Sequence, residues 1–143
     1  MGIFFSRQCE YALQAVSYLA LKPAGETTSI KELTRRLKIP YHFLAKILQR
    51  LANQGLLASR KGPGGGFSLA SPPDSITLFH IVDAIDGGDF MRRCVMGFPE
   101  CSGKHPCAVH HSWAGLRGKI HLVLVNKNIA QIARSMRKPE YRN

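Results

Sequence analysis

Between Cys94 and Trp113 the chain reads CVMGFPECSGKHPCAVHHSW, which places three of its four cysteines and three histidines inside twenty residues. Three thiolates and an imidazole meet the needs of a tetrahedral zinc ion or of an iron–sulfur centre, since both take soft or borderline donors in a shielded loop. Cys94, Cys101 and Cys107 are separated by six and five residues, and His110 follows Cys107 by three. Structural zinc favours tight Cys-x-x-Cys knuckles, which are absent, whereas wide spacing with glycine and proline suits a larger inorganic unit. Zinc and a thiol–disulfide switch stay open as alternatives. A purely structural set of buried cysteines is a poor fit to so polar a loop. A zinc deaminase is excluded: Pro106-Cys107 begins its signature, but His110 stands where the second cysteine belongs and no His-x-Glu exists to supply the acid/base.

The composition frames what such a centre could serve. At 143 residues the chain can bury one core, alone or with an oligomerisation element. A net charge of +11 and a pI near 10.0 favour an anionic partner, nucleic acid or an anionic membrane face. The first seventy residues carry ten Lys/Arg against three acids and the remainder ten against six, so the excess leans to the N-terminal half. No run of about 18 apolar residues exists, so no transmembrane helix is expected. The apolar stretch Tyr11–Leu21 is interrupted by Gln14 and Ser17 and reads poorly as a signal peptide. Met1-Gly2 with Ser6 fits the myristoylation pattern only loosely. The chain therefore reads as a cytoplasmic binding protein, not an enzyme and not membrane-bound, whose cysteines serve metal or redox chemistry.

The elements that must position the loop follow from periodicity. From about Glu10 to Leu21, Tyr11, Ala15, Val16 and Leu19 recur at helical spacing, with Pro23 and Gly25 ending the run. Ser29-Ile-Lys-Glu32 fits a reciprocal capping box ahead of a short helix carrying Ile30, Leu33 and Leu37. Pro40 opens a third helix in which Leu44, Ile47, Leu48 and Leu51 form the packing face, and Gly55 suits a left-handed cap. Two strand-like runs, Leu56–Lys61 and Gly66–Ala70, join through Gly62-Pro63-Gly64-Gly65-Gly66 as a hairpin. Two short helices and a hairpin outline a winged helix-turn-helix. Ser75 or Thr77 caps a fourth helix, ending at Gly87-Gly88, and the cysteine loop follows. Trp113 to about Met136 reads as one long apolar helix suited to a dimer interface. The predicted fold is mainly α with a small β wing. Residues 1–75 would form the DNA-binding region, 76–112 a helix and the cluster-binding loop, and 113–143 the dimerisation helix and basic tail.

In a helix-turn-helix the second helix enters the major groove and its N-terminal residues reach base edges. Tyr41, His42, Ala45 and Lys46 occupy that end, and Lys46 can reach guanine or phosphate. Arg60 and Lys61 sit immediately before the wing glycines, where a cation can enter the minor groove. Ser6, Arg7, Thr28, Ser29 and Arg50 are candidate phosphate contacts. A nucleotide-binding P-loop is excluded, since the glycines are followed by neither Lys-Ser/Thr nor a helix.

Glu10-Tyr11-Ala12-Leu13, Arg60-Lys61-Gly-Pro-Gly-Gly-Gly-Phe67 and the three-cysteine loop closed by His110 and Trp113 together resemble the Rrf-two family of bacterial regulators. The resemblance spans nearly the whole chain. It implies a homodimer with crossing C-terminal helices and an iron–sulfur cluster that tunes affinity for palindromic double-stranded DNA. By the same resemblance Cys94, Cys101 and Cys107 would be ligands, with His110 at the fourth-ligand position of IscR-like members. Glu10 stands where NsrR-like members use a carboxylate from the other subunit, and so competes for that place. A [2Fe–2S] cluster is preferred over [4Fe–4S], although the six-residue gap departs from the family's usual five. Lys61 falls at the family's minor-groove arginine, and Ala45 at the glutamate with which IscR-like members filter DNA sites.

The expected function is therefore a cytoplasmic transcription regulator sensing iron–sulfur status, nitric oxide or redox stress. The alternatives are a zinc- or thiol-dependent repressor and, from another class, a small iron–sulfur electron carrier or storage protein.

Overall fold

The computed structural model describes residues 4–136. Six helices and one antiparallel hairpin run in the order α1 (Arg7–Leu19), α2 (Ile30–Leu37), α3 (Tyr41–Asn53), β1 (Leu57–Arg60), β2 (Gly66–Leu69), α4 (Leu78–Asp86), α5 (His110–Asn126) and α6 (Ile129–Met136). Short 3-10 turns at Pro73–Ser75 and Gly88–Met91 precede and follow α4. The expected class, mainly α with a small β wing, is what the chain forms.

Helix α1 begins three residues before the anticipated Glu10. Ser6 supplies the reason: its Oγ accepts from the Cys9 N–H at 3.1 Å, and Glu10 then lies in a first turn that favours negative charge. Ser29 likewise caps α2 by accepting from the Glu32 N–H at 3.1 Å. The reciprocal half of that capping box is not made. The Glu32 carboxylate instead accepts from the Tyr18 hydroxyl at 2.8 Å and pairs with Lys22 at 2.9 Å, pinning α2 to the end of α1. The bonds from Lys22 and Tyr18 hold the Glu32 carboxyl below its ordinary range. A left-handed Lys38, with φ of 56°, makes the turn into α3.

Leu44, Ile47, Leu48 and Leu51 of α3 are buried, as the spacing predicts. They join one apolar cluster with Val16, Leu19, Leu33, Ile39, Leu57, Ile81, Val82, Leu124 and Ile129, so every helix contributes to a shared interior. A fully buried leucine of this kind contributes roughly 1.5–3 kcal/mol. The hairpin register runs from Leu57 opposite Leu69 to Arg60 opposite Gly66. Thr28 adds a third short rung, exchanging N–H···O bonds of 2.9 Å with Phe67 in both directions. Gly66 must be glycine for this: its φ is +154°, and a Cβ there would stand 2.2 Å from the Thr28 carbonyl oxygen.

Of the two candidate caps, Thr77 opens α4. Its Oγ1 accepts from the His80 N–H at 3.3 Å while His80 Nδ1 accepts from the Thr77 N–H at 3.0 Å. The continuous helix expected from Trp113 to Met136 is the main departure. Helix α5 starts at His110 and stops at Asn126, and the chain turns before α6. Asn128 and Gln131 cap each other's backbone N–H groups, both at 2.9 Å. The break is also tied to the start of α4, by the Leu78 N–H to the Lys127 oxygen at 2.9 Å and the Ile129 N–H to the Ile76 oxygen at 2.8 Å. Helix α6 therefore folds back on α1 with Ile129 and Ala133 buried, and α5 alone is left projecting.

Candidate metal centre and nucleic-acid interface

The packing face of α3 fixes which of its residues can reach a partner. His42, Lys46 and Arg50 are exposed, Tyr41 is exposed at the first turn, and Ala45 is half-buried. Between α3 and the wing lies a cleft of about 460 Å³ whose lining includes Tyr41, Gln49, Arg60, Lys61 and, from the start of α2, Ser29 and Lys31. The wing tip is held by the Thr27 hydroxyl, which donates to the Gly64 carbonyl at 2.8 Å. Gln49 and Asn53 share the open face that helical spacing gives to His42, Ala45 and Lys46, and Gln49 Nε2 donates to Asn53 Oδ1 at 3.0 Å, one helical turn away. Phe43, 54% exposed, escaped notice, since an aromatic in an apolar helix reads as core. Helical spacing alone could have found it.

Two of the candidate phosphate contacts, Thr28 and Ser6, are engaged within the protein. Thr28 is only 2% exposed, with its Oγ1 buried and unpartnered, because its backbone is drawn into the wing. The Ser6 hydroxyl donates to Asp86 while accepting from the Cys9 N–H, so its donor is already used. Arg7 remains exposed, its guanidinium 6.0 Å from the Tyr11 ring centre. Behind Ser6, burial together with the charges of Asp86 and Glu10 pushes the Cys9 thiol up to about 12, so this fourth cysteine is a protonated core group.

The other three cysteines converge. The Sγ atoms of Cys94, Cys101 and Cys107 all lie within 4.8 Å of one another, with Cys94 and Cys107 at 3.8 Å. His110 stands at the edge of the group, its Nδ1 3.3 Å from Cys101 Sγ, at the first residue of α5. The Cys107 N–H donates to Cys101 Sγ at 3.5 Å. Glu10 lies in α1 and is not a member of this group. Desolvation raises the Cys94 thiol, but the Phe98 and Met96 backbone and the neighbouring thiols outweigh it and bring the group down to about 7. At Cys101 the Cys107 backbone bond favours the thiolate, yet desolvation and the adjacent thiols Cys107 and Cys94 win, and the group titrates above its ordinary value. Such a set has the donors for a soft metal centre: three convergent sulfurs, one of them with its thiol drawn below its ordinary value, and an adjacent imidazole.

Arg117, on α5, was also missed. It is 8% exposed and lines the same small cavity as the three cysteines, His110 and Trp113. Its Nη1 donates to the Met91 carbonyl at 2.7 Å and the Arg93 carbonyl at 3.3 Å. No sequence signal marks it, since one arginine in a helix reads as a solvated residue.

On the open side of α5, Val109, Leu116 and Val123 are 38%, 49% and 56% exposed, with half-buried Trp113 and Ile120 between them. Steps of four, three, four and three residues make a single apolar stripe. No described helix is long and apolar enough to cross a membrane.

A family model described as Rrf2, iron-dependent transcriptional regulator, matches residues 5–135. A chain from Aquifex aeolicus named as an HTH-type transcriptional regulator is 38% identical over 120 residues, covering 82% of this chain and 83% of its own. The HTH-type transcriptional regulator IscR of Yersinia pseudotuberculosis is 30% identical over 122 residues, covering 85% and 74% respectively. Among solved structures, CymR, the global cysteine regulator of B. subtilis, superposes with a TM-score of 0.78 at 25% identity, covering 94% of this chain and 98% of that one. T. potens IscR does so with a TM-score of 0.73 at 25% identity, covering 94% and 89%. These similar proteins are regulators of transcription and not enzymes.

Proposed function

The chain belongs to the Rrf2 family of transcriptional regulators, and on that footing we propose that it is a cytoplasmic homodimer whose affinity for a palindromic operator is set by an iron–sulfur cluster. The observation that carries this reading is the convergence of the Cys94, Cys101 and Cys107 sulfurs within 4.8 Å in a loop of mostly exposed residues. The donor chemistry fits the group: these thiols would hold it, with His110 or Glu10 of the partner subunit as fourth ligand. When bound, a [2Fe–2S] cluster supplies a one-electron redox centre whose bonds oxidant, nitric oxide or iron shortage can break.

The chain's own residues supply the rest. Tyr41, His42, Ala45 and Lys46 present the start of α3 to base edges, Arg60 and Lys61 offer cations to the minor groove, and Arg7, Ser29 and Arg50 contact the backbone. The apolar stripe of α5 pairs two subunits, which sets the distance between two α3 helices against half-sites about 34–36 Å apart. The cysteine loop joins α4 to α5, so a change in its order biases how the DNA-reading regions are held. A coupling of this kind is worth about 5- to 150-fold in affinity.

A second reading, a zinc- or thiol-dependent repressor, is favoured by the compactness of the triad. With metal–sulfur bonds of about 2.3 Å, a single tetrahedral ion separates its sulfurs by about 3.8 Å, which is the Cys94–Cys107 distance of 3.8 Å. Iron, acid-labile sulfide and zinc analysis of anaerobically purified protein separates the two. Brown protein with iron and sulfide supports the cluster, and colourless protein with stoichiometric zinc overturns it.

A further inference from the structure

We infer that Arg117 is the buried countercharge and clamp of the thiolate centre, a positioning residue through which α5 holds the entry to the cysteine loop. Two independent observations meet at this side chain. First, its Nη1 is shared between the carbonyls of Met91 and Arg93, at 2.7 and 3.3 Å, so it fastens the backbone immediately before Cys94. Second, its Nε is buried without a partner, although the residue is 8% exposed and lines the cavity in which the three thiols and His110 meet.

A guanidinium is always charged and offers five N–H donors, and removing it from water is unfavourable unless an anion or acceptors compensate. Among the described side chains no carboxylate pairs with Arg117. The missing negative charge is what a thiolate centre brings. Three thiolates carry three negative charges against a doubly charged zinc ion, and they likewise leave an oxidised [2Fe–2S] core net negative. Arg117 therefore balances the centre whichever metal it takes, and its Nε–H is an unpartnered donor on a side chain that lines the same cavity as the thiols. Because Arg117 belongs to α5, the helix that carries the apolar stripe, it also makes the loop's position a property of the dimerisation helix.

The inference rests on the reading that the three cysteines hold a metal centre, and it is tested on Arg117→Met, which removes the charge and both bonds, and Arg117→Lys, which keeps the charge but not the planar fork. In cluster-reconstituted full-length protein, Arg117→Met is expected to lower the reduction potential and to lose metal to a chelator about 10-fold or more faster, while Arg117→Lys keeps the wild-type potential. An unchanged potential in Arg117→Met overturns the countercharge. In metal-free protein, hydrogen exchange across residues 92–101 should quicken in both variants while α1 to α3 keep their protection; unchanged exchange overturns the clamp. If the wild-type protein takes up neither iron nor sulfide, the cluster is what fails. Arg117 is then judged by zinc affinity, which should fall about 10- to 100-fold in Arg117→Met and, if equal to wild type, sinks the inference.

Discussion

The proposed DNA-reading end and the cysteine loop are built on opposite plans. From α2 to the wing almost every feature is determined by burial: Leu33, Leu44, Leu48 and Leu51 are enclosed, and Gly66 lets the hairpin close on Thr28. Between Met91 and His110 there is no helix or strand, and Val95, Met96 and Phe98 are exposed. The contacts that hold the loop include Arg117 on two carbonyls, His110 on Cys101, the thiols on one another, and Ser102 Oγ accepting from the Lys104 and His105 N–H groups. The contrast teaches where regulation can enter. On the proposed reading, a surface fixed by the core keeps its shape whatever the cell's state, whereas a loop lacking its own core takes its order from what it binds.

The strongest way to break that comparison is to remove a thiol. Cys94→Ala and Cys107→Ala should each reduce bound iron and sulfide to background in anaerobically prepared protein, yet leave the thermal midpoint of the metal-free protein nearly unchanged. A large drop in that midpoint would place the loop inside the folding core. In the other region the effects should be reversed. Leu48→Ala, in the wholly enclosed face of α3, should cost about 2–5 kcal/mol in urea unfolding, against less than about 0.5 kcal/mol for Val95→Ser in the exposed loop. Equal losses at the two sites would erase the distinction.

Gly66→Ala sharpens the same contrast without touching the core. With a Cβ directed 2.2 Å from the Thr28 oxygen, the hairpin must shift, and duplex affinity should fall while metal content is kept. Lys46→Ala and Lys61→Ala act more gently. Each should weaken binding across sequences and reduce the dependence of log affinity on log salt by about one unit if it touches phosphate. Cys9 gives a test by pH. Its folded-state thiol lies near 12, above the ordinary 9.0, so the stability it contributes is complete below 9 and is lost as pH rises toward 12. Cys9→Ala should flatten that alkaline decline in unfolding free energy measured across the window.

Much of this was legible from the amino acids. The face of α3 follows from four apolar residues at helical spacing, and the wing from a glycine run between extended segments. The cysteine triad was readable as a composition but not as a shape, because its convergence depends on how the loop returns to α5. The break between α5 and α6 was hidden by apolar residues that continue on both sides of it. Only Asn128 and Gln131, a short-range cap, mark the stop, and it takes the start of α4 to hold it. The burial of Thr28 and the diversion of Glu32 to Lys22 and Tyr18 are likewise tertiary outcomes. Arg117 was invisible for the same reason, since its meaning comes from two carbonyls more than twenty residues earlier.

The central claim is that occupancy of the thiol site sets DNA affinity. Its most direct test is an anaerobic duplex-binding titration at fixed salt, comparing cluster-loaded and cluster-free forms of one preparation on a duplex selected from a random pool by either form. The account predicts affinities that differ by about 5- to 150-fold, with the difference abolished in Cys107→Ala. Equal affinities for the loaded and cluster-free protein would contradict it.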